Sequence, residues 1–192
     1  MLQIHMPQWL QTWQQAHSQP PNTIEHPDSY FMRLTLELAR LNFSQTTVDQ
    51  CGGPFAALIV NKHGILAAAG NQVVASQCST AHAEILALSF AQQKLARYSL
   101  KDPSNPCTLY TSAQMCAMCC GAVVWSGVQR IVFGASAMDT ERLTGFDEGP
   151  IHPEWRDELI KRGIDLEGPF MQIEACAVLE EYAQAQQPIY NP

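Results

Sequence analysis

Apolar residues recur along the chain first at helical spacing and then in short unbroken runs. Phe31, Leu34, Leu38 and Leu41 repeat every three to four positions, which predicts a helix over 29–42 with Asp28 as its N-cap. Gly52, Gly53 and Pro54 interrupt the chain, and the run 55–60 (FAALIV) reads as a short apolar strand. Asn61-Lys62-His63-Gly64 has the chemistry of a hairpin turn, because Gly64 can take a positive φ, so a second strand is expected over 65–69. Helical spacing returns over 81–97, with Ile85, Leu88 and Leu95 on the apolar side. A strand over 107–111, a helix over 116–126 and a buried strand over 129–134 follow. The Gly- and Pro-containing stretch 138–152 reads as a long loop suited to binding. A helix over 153–162, a strand within 164–171 and a last helix to about 185 complete the pattern.

Strands alternating with helices predict an α/β fold, a three-layer α/β/α sandwich around a mixed sheet of about five strands. Residues 28–192 read as one domain. Residues 1–27 read as an N-terminal extension, a short helix bearing Trp9 and Trp13 followed by a Pro-rich stretch from Pro20 to Pro27. A chain of 192 residues can bury a core without disulfides or a structural metal.

The charge balance narrows the partners. A formal net charge of −7 repels phosphate backbones, and no run of Lys or Arg offsets it, so nucleic acid is an unlikely partner and a small molecule is expected. The polar start of the chain lacks a secretory pattern, and no segment reaches the length of a membrane span. Seven cysteines, an odd number, then suit a reducing cytoplasm, where clustered cysteines bind metal or pack in the core.

Two segments carry the candidate chemistry, Ala81-His82-Ala83-Glu84 and Cys116-Ala117-Met118-Cys119. Cys116 and Cys119, three apart on the first turn of a helix, turn both sulfurs to one side, and the helix N-terminus favours their thiolates. His82, opening a separate helix, brings a third ligand from across the site. Three such ligands with one open position make a catalytic zinc site. Glu84 can reach the open side without ligating, take a proton from an activated water and return it to a substrate nitrogen. His-x-Glu with Cys-x-x-Cys is the signature of zinc deaminases acting on nucleobases. Cys-x-x-Cys alone also marks redox and structural zinc sites, and Cys120 could close a four-ligand structural site. Such a site has no use for Glu84.

With these motifs the chain resembles the cytidine deaminase-like superfamily, and within it the guanine deaminase branch, over about 28–192. Further matching segments are Gly53-Pro54-Phe55-Ala56-Ala57, Gly70-Asn71, Ala122-Val123-Val124-Trp125 and Gly145-Phe146-Asp147-Glu148-Gly149-Pro150. The resemblance implies one zinc ion per subunit, a homodimer, and conversion of guanine to xanthine with release of ammonia. It implies that Asn71 hydrogen-bonds the purine, that Phe55 stacks on it, and that the His82 ring packs along it. Ala83, Trp125, Phe146 and Asp147 join the substrate-binding set, Glu148 assists proton transfer, and Tyr190 belongs to a C-terminal tail that closes a site. Phe55 and Trp125 can equally be core residues, and Asp147 a loop cap. One departure stands out: Gln114-Met115 replaces the usual Glu-Pro before the first zinc cysteine, which leaves Met115 and Met118 to form a more adaptable pocket wall. Other amino-substituted rings such as ammeline, cytosine-like bases or transfer RNA adenosine are alternative substrates, and a non-enzymatic zinc-binding protein is an alternative of another class.

Overall fold

The computed structural model describes residues 5–17, 21, 26–45 and 51–191, so most of the Pro-rich stretch from Pro20 to Pro27 lies outside the described residues. The first apolar run forms β1 (Ala56–Asn61), and Lys62-His63 turns the chain back into β2 (Gly64–Gly70). Gly64 takes φ 102°, a conformation that favours glycine. The other strands are β3 (Thr108–Ala113), β4 (Arg130–Ala135) and β5 (Asp165–Glu167), and the sheet order is β2-β1-β3-β4-β5. β1 pairs antiparallel with β2 and β3, while β3, β4 and β5 are parallel, which is the expected mixed sheet of five strands.

Helices cover both faces. Alternation along β1 sends Leu58 and Val60 toward one helical layer, formed by α1 (Gln8–Ala16), α2 (Pro27–Phe43) and α8 (Gln172–Gln184). Ala57 and Ile59 point the other way, toward α4 (Ala83–Leu95), α5 (Ala117–Ser126) and α7 (Trp155–Ile160). The apolar side of α4 is Leu86, Ala87, Leu88 and Ala91, with Ile85 and Leu95 only half-buried.

Four expectations need correction. Helix α1 belongs to the core, since Leu10 is 1% exposed and Trp13 is buried with its Nε1 donating to Glu37 Oε1 at 2.9 Å. Burial of Leu10 alone contributes about 2 kcal/mol. The Gln14 side chain also satisfies edge strand β2, accepting from Ala68 N and donating to Leu66 O. Asp28 is not the cap of α2: the helix starts at Pro27, whose fixed φ and missing amide hydrogen suit the first turn. Asp28 instead accepts from the two terminal guanidinium nitrogens of Arg130, at 2.7 and 2.8 Å, and from the Tyr110 hydroxyl at 2.7 Å, tying α2 to β3 and β4. Arg130 holds the Asp28 carboxyl below the usual carboxylate range.

The third correction concerns 138–152, half of which is helical as α6 (Ala137–Thr144). Ser136 and Asp139 form a reciprocal capping box, and Gly145 ends the helix at φ 82°. The fourth is a short helix absent from the sequence reading, α3 (Val73–Ser76), which Asn71 Oδ1 starts by accepting from Val73 N. Among the described residues, no helix is long and apolar enough to cross a membrane.

Candidate active site

The site forms where the carboxyl ends of β3 and β4 meet the exit of β2. His82 is the N-cap of α4 and Cys116 the N-cap of α5, and neither side chain caps its own helix. Both are thereby free to face each other across the gap, and Cys119, fully buried one turn into α5, faces the same point. His82 Nδ1 and Cys116 Sγ lie 3.6 Å apart, and the donor atoms of all three residues lie within 4.8 Å of one another. A tetrahedral zinc with bonds of about 2.05 Å to nitrogen and about 2.3 Å to sulfur would separate such a pair by about 3.6 Å. The donor set therefore fits one zinc ion per subunit. Cys120 is outside it, with its thiol donating to Met115 O, and burial holds that thiol up at about 12.

The electrostatics suit a cation. A hydrogen bond from Cys119 and the neighbouring His82 ring outweigh burial and lower the Cys116 thiol to about 4. Cys119 is shifted the other way, because its proton is held by Cys116 and it is buried beside Glu84. Burial opposes the His82 cation, but the negative charges of Cys116 and Glu84 prevail and raise it.

Glu84, on the first turn of α4, is buried with one oxygen accepting from Thr111 Oγ1 at 3.2 Å and the other from Cys119 Sγ at 3.5 Å. Burial and the Cys116 charge raise its carboxyl. Glu148 is also buried, and desolvation followed by the charges of Cys116 and Glu84 pushes it up to about 8. Two buried acids beside a cation site, both inclined to hold protons, are suited to proton transfer.

A cavity of about 370 Å³ gathers most of the predicted residues: Phe55, Asn71, His82, Glu84 and Cys116, with Phe146, Asp147, Glu148 and Tyr190 on the side of the loop and tail. Phe146 packs against Phe55, Tyr182 and Tyr190 at centroid distances of 5.1, 5.9 and 4.8 Å, so it joins the core as well as the cavity. Asp147 caps its own loop by accepting from Gly149 N at 2.7 Å. The tail crosses the same loop: Asn191 donates to Gly145 O and accepts from Asp147 N, while Tyr182 hydroxyl holds Pro188 O.

Three expected positions fall elsewhere. Trp125 is 83% exposed and borders a separate groove, because it lies two turns along α5 on the side away from the metal ligands. Ala83 is fully buried and is not among the cavity-lining residues. Met115 is core, whereas Met118 does line the cavity. Gln114 also lines it and accepts from Ala137 N at 3.3 Å, at the start of α6. Val73 and Ser79 line the cavity too, and carry no motif that the sequence could flag.

This fold and site define a zinc-dependent deaminase; His82, Cys116 and Cys119 would hold the zinc, which would lower the pKa of a water bound to it. The model of the cytidine and deoxycytidylate deaminase zinc-binding region matches residues 25–135, and the chain belongs to that family. It is similar to the solved guanine deaminase of Nitrosomonas europaea, at 40% identity over 96% of this chain and 97% of that one, with a TM-score of 0.83. It is 38% identical to the guanine deaminase of Bacillus subtilis over 64% of this chain and 72% of that protein. A tRNA-specific adenosine deaminase of Buchnera aphidicola is 37% identical over 60% of this chain and 70% of its own length. The Nitrosomonas europaea guanine deaminase thus matches the chain almost end to end.

Proposed function

We propose that this protein converts guanine to xanthine and ammonia. The observation that carries the proposal is the loop Phe146-Asp147-Glu148, which meets Asn71, Phe55, His82 and Cys116 in one cavity under the C-terminal tail. Such a roofed cavity suits a free base better than a nucleotide within RNA, and the net charge of −7 points the same way. The near full-length likeness to a guanine deaminase supports this choice.

In this reading Phe55 and His82 contact the faces of the base, and Asn71 offers a hydrogen bond to its edge. Glu84 takes a proton from the attacking water as its oxygen bonds to the amino-bearing carbon, and passes it to the adjacent ring nitrogen. The hydroxyl of the adduct then gives up a second proton, which Glu84 or Glu148 carries to the amine as the carbon–nitrogen bond breaks, leaving the carbonyl of xanthine and free ammonia. The test is ammonia release by the zinc-loaded protein from guanine, ammeline, cytosine, adenine, their nucleosides and transfer RNA. Guanine is expected to turn over at least about 100-fold faster than the others, since pocket hydrogen bonds discriminate rings on that scale. Preference for another ring would overturn the substrate while keeping the chemistry, and silence across the panel would favour a non-enzymatic role.

The homodimer belongs to the same reading. Trp125 protrudes beside a groove of about 330 Å³ edged by Val124, Ile151, Trp155 and Leu159, and a protrusion next to a recess is what a two-fold interface between identical copies needs. Trp125→Glu is expected to convert a dimer into a monomer by light scattering. An unchanged mass would place the interface elsewhere.

A further inference from the structure

The edge of the substrate cavity is built from two pieces of backbone that lie just beyond the sheet. Ala56 pairs with Gly70 as the last rung between β1 and β2, and Gly53 and Asn71 continue past it. Beyond that rung their carbonyls turn inward with no strand to bond, and buried carbonyls need donors. Asn42, the penultimate residue of α2 and fully buried, supplies a donor to each, and Gln72 Nε2 gives Asn71 O a second at 3.2 Å. Its Nδ2 donates to Gly53 O at 2.8 Å and to Asn71 O at 2.9 Å, and its Oδ1 accepts from Gln72 Nε2 at 3.1 Å. Its backbone carbonyl accepts from Gly52 N at 3.1 Å. The side chain thus uses both its amide hydrogens and its carbonyl oxygen.

The flanking glycines leave room for this amide. A Cβ at Gly70 would overlap Asn42 Oδ1, and one at Gly52 would overlap Asn71 O and crowd Asn42 Nδ2. The contacts also reach toward the metal side. Gln72 N donates to Ala81 O, directly before His82, and Asn71 N donates to Phe55 O. Asn71 itself has its Oδ1 occupied by Val73 N, and its Nδ2 has no partner among the described residues, which leaves a donor for a ligand in the cavity it lines.

We infer that Asn42 is a positioning residue for substrate: it fixes the backbone from which Asn71 presents its amide, and it holds the approach to Phe55. It acts from outside the cavity, since it is absent from the lining. The inference rests on the substrate-facing role of Asn71 proposed above.

A double-mutant cycle in the zinc-loaded protein tests it, using the ring turned over fastest. Asn42→Asp keeps the size and removes both donated hydrogen bonds, and Asn42→Ser is a milder variant should the first fail to fold. Asn42→Asp is expected to raise KM about 10-fold with kcat within about threefold and the zinc content unchanged. In an Asn71→Ala background the same change should alter KM by less than about twofold, because the two act on one contact. Additive effects on KM, or a loss confined to kcat or to zinc content, would make Asn42 a merely structural residue and overturn the inference. If Asn71→Ala alone leaves KM unchanged, the role of Asn71 fails first and the inference falls with it.

Discussion

Replacing Glu84 with Gln is expected to lower kcat by about 10³- to 10⁴-fold while the protein keeps close to one zinc per subunit, since general acid–base catalysis is worth up to that much. The substitution preserves volume at a buried position on the cavity wall. Thr111 Oγ1 can still donate to the oxygen it meets at 3.2 Å, so the side-chain oxygen stays on that side. The amide nitrogen then occupies the place of the oxygen that faces Cys119 at 3.5 Å. An amide there can donate toward sulfur but can neither take a proton from water nor deliver one to a ring nitrogen. The ligands His82, Cys116 and Cys119 are untouched, so metal content and thermal stability should hold. Steady-state turnover, metal analysis and a melting curve on one preparation check all three. A kcat within 10-fold of the parent would remove Glu84 from proton transfer.

The metal ligands were legible because their chemistry is local. His82 and the Cys116/Cys119 pair need only a helix start each, and spacing reveals those without knowledge of the fold. The sheet was legible for a similar reason, since β1 is an apolar run between a Gly-Gly-Pro break and a hairpin turn. What spacing could not reveal was which face of α5 meets the cavity. Trp125 stands close to the Cys116/Cys119 motif in sequence, yet six residues of helix beyond Cys119 carry it round to the open side, 83% exposed. Helix α6 was hidden in a different way. Its capping box, Ser136 and Asp139, is present in the sequence, but the Gly and Pro residues that follow it outweighed that signal. Asn42 was invisible because nothing local distinguishes it. Its importance comes from two carbonyls, Gly53 and Asn71, that only the folded sheet brings to it. Residues whose role is to satisfy distant backbone have no periodicity or motif to betray them.

Truncation after Pro188 is the second large effect expected, a loss of about 100-fold in kcat/KM without unfolding, as closure and exclusion of water matter on that scale. The cut spares the anchor, because Tyr182 still donates to Pro188 O at 2.6 Å and stays in the core. It removes Asn191, whose two hydrogen bonds hold Gly145 and Asp147, and Tyr190, whose ring lies 4.8 Å from Phe146. The Tyr190 hydroxyl sits so close over Gly53 that any side chain there would collide with it, so the tail fits this site closely. Without the tail, water reaches Phe146 and Glu148. Burial is the main reason the Glu148 carboxyl stands at about 8, so opening the cavity should lower it toward ordinary values. As a proton donor Glu148 is active below its pKa, and the alkaline limb of the kcat/KM profile should therefore move to lower pH. A melting temperature within a few degrees of the parent would show that the loss is in the site and not in the fold. Unchanged kinetics would exclude Tyr190 from the site, and a lowered rate with an unmoved pH profile would leave Glu148 outside the protons that limit turnover.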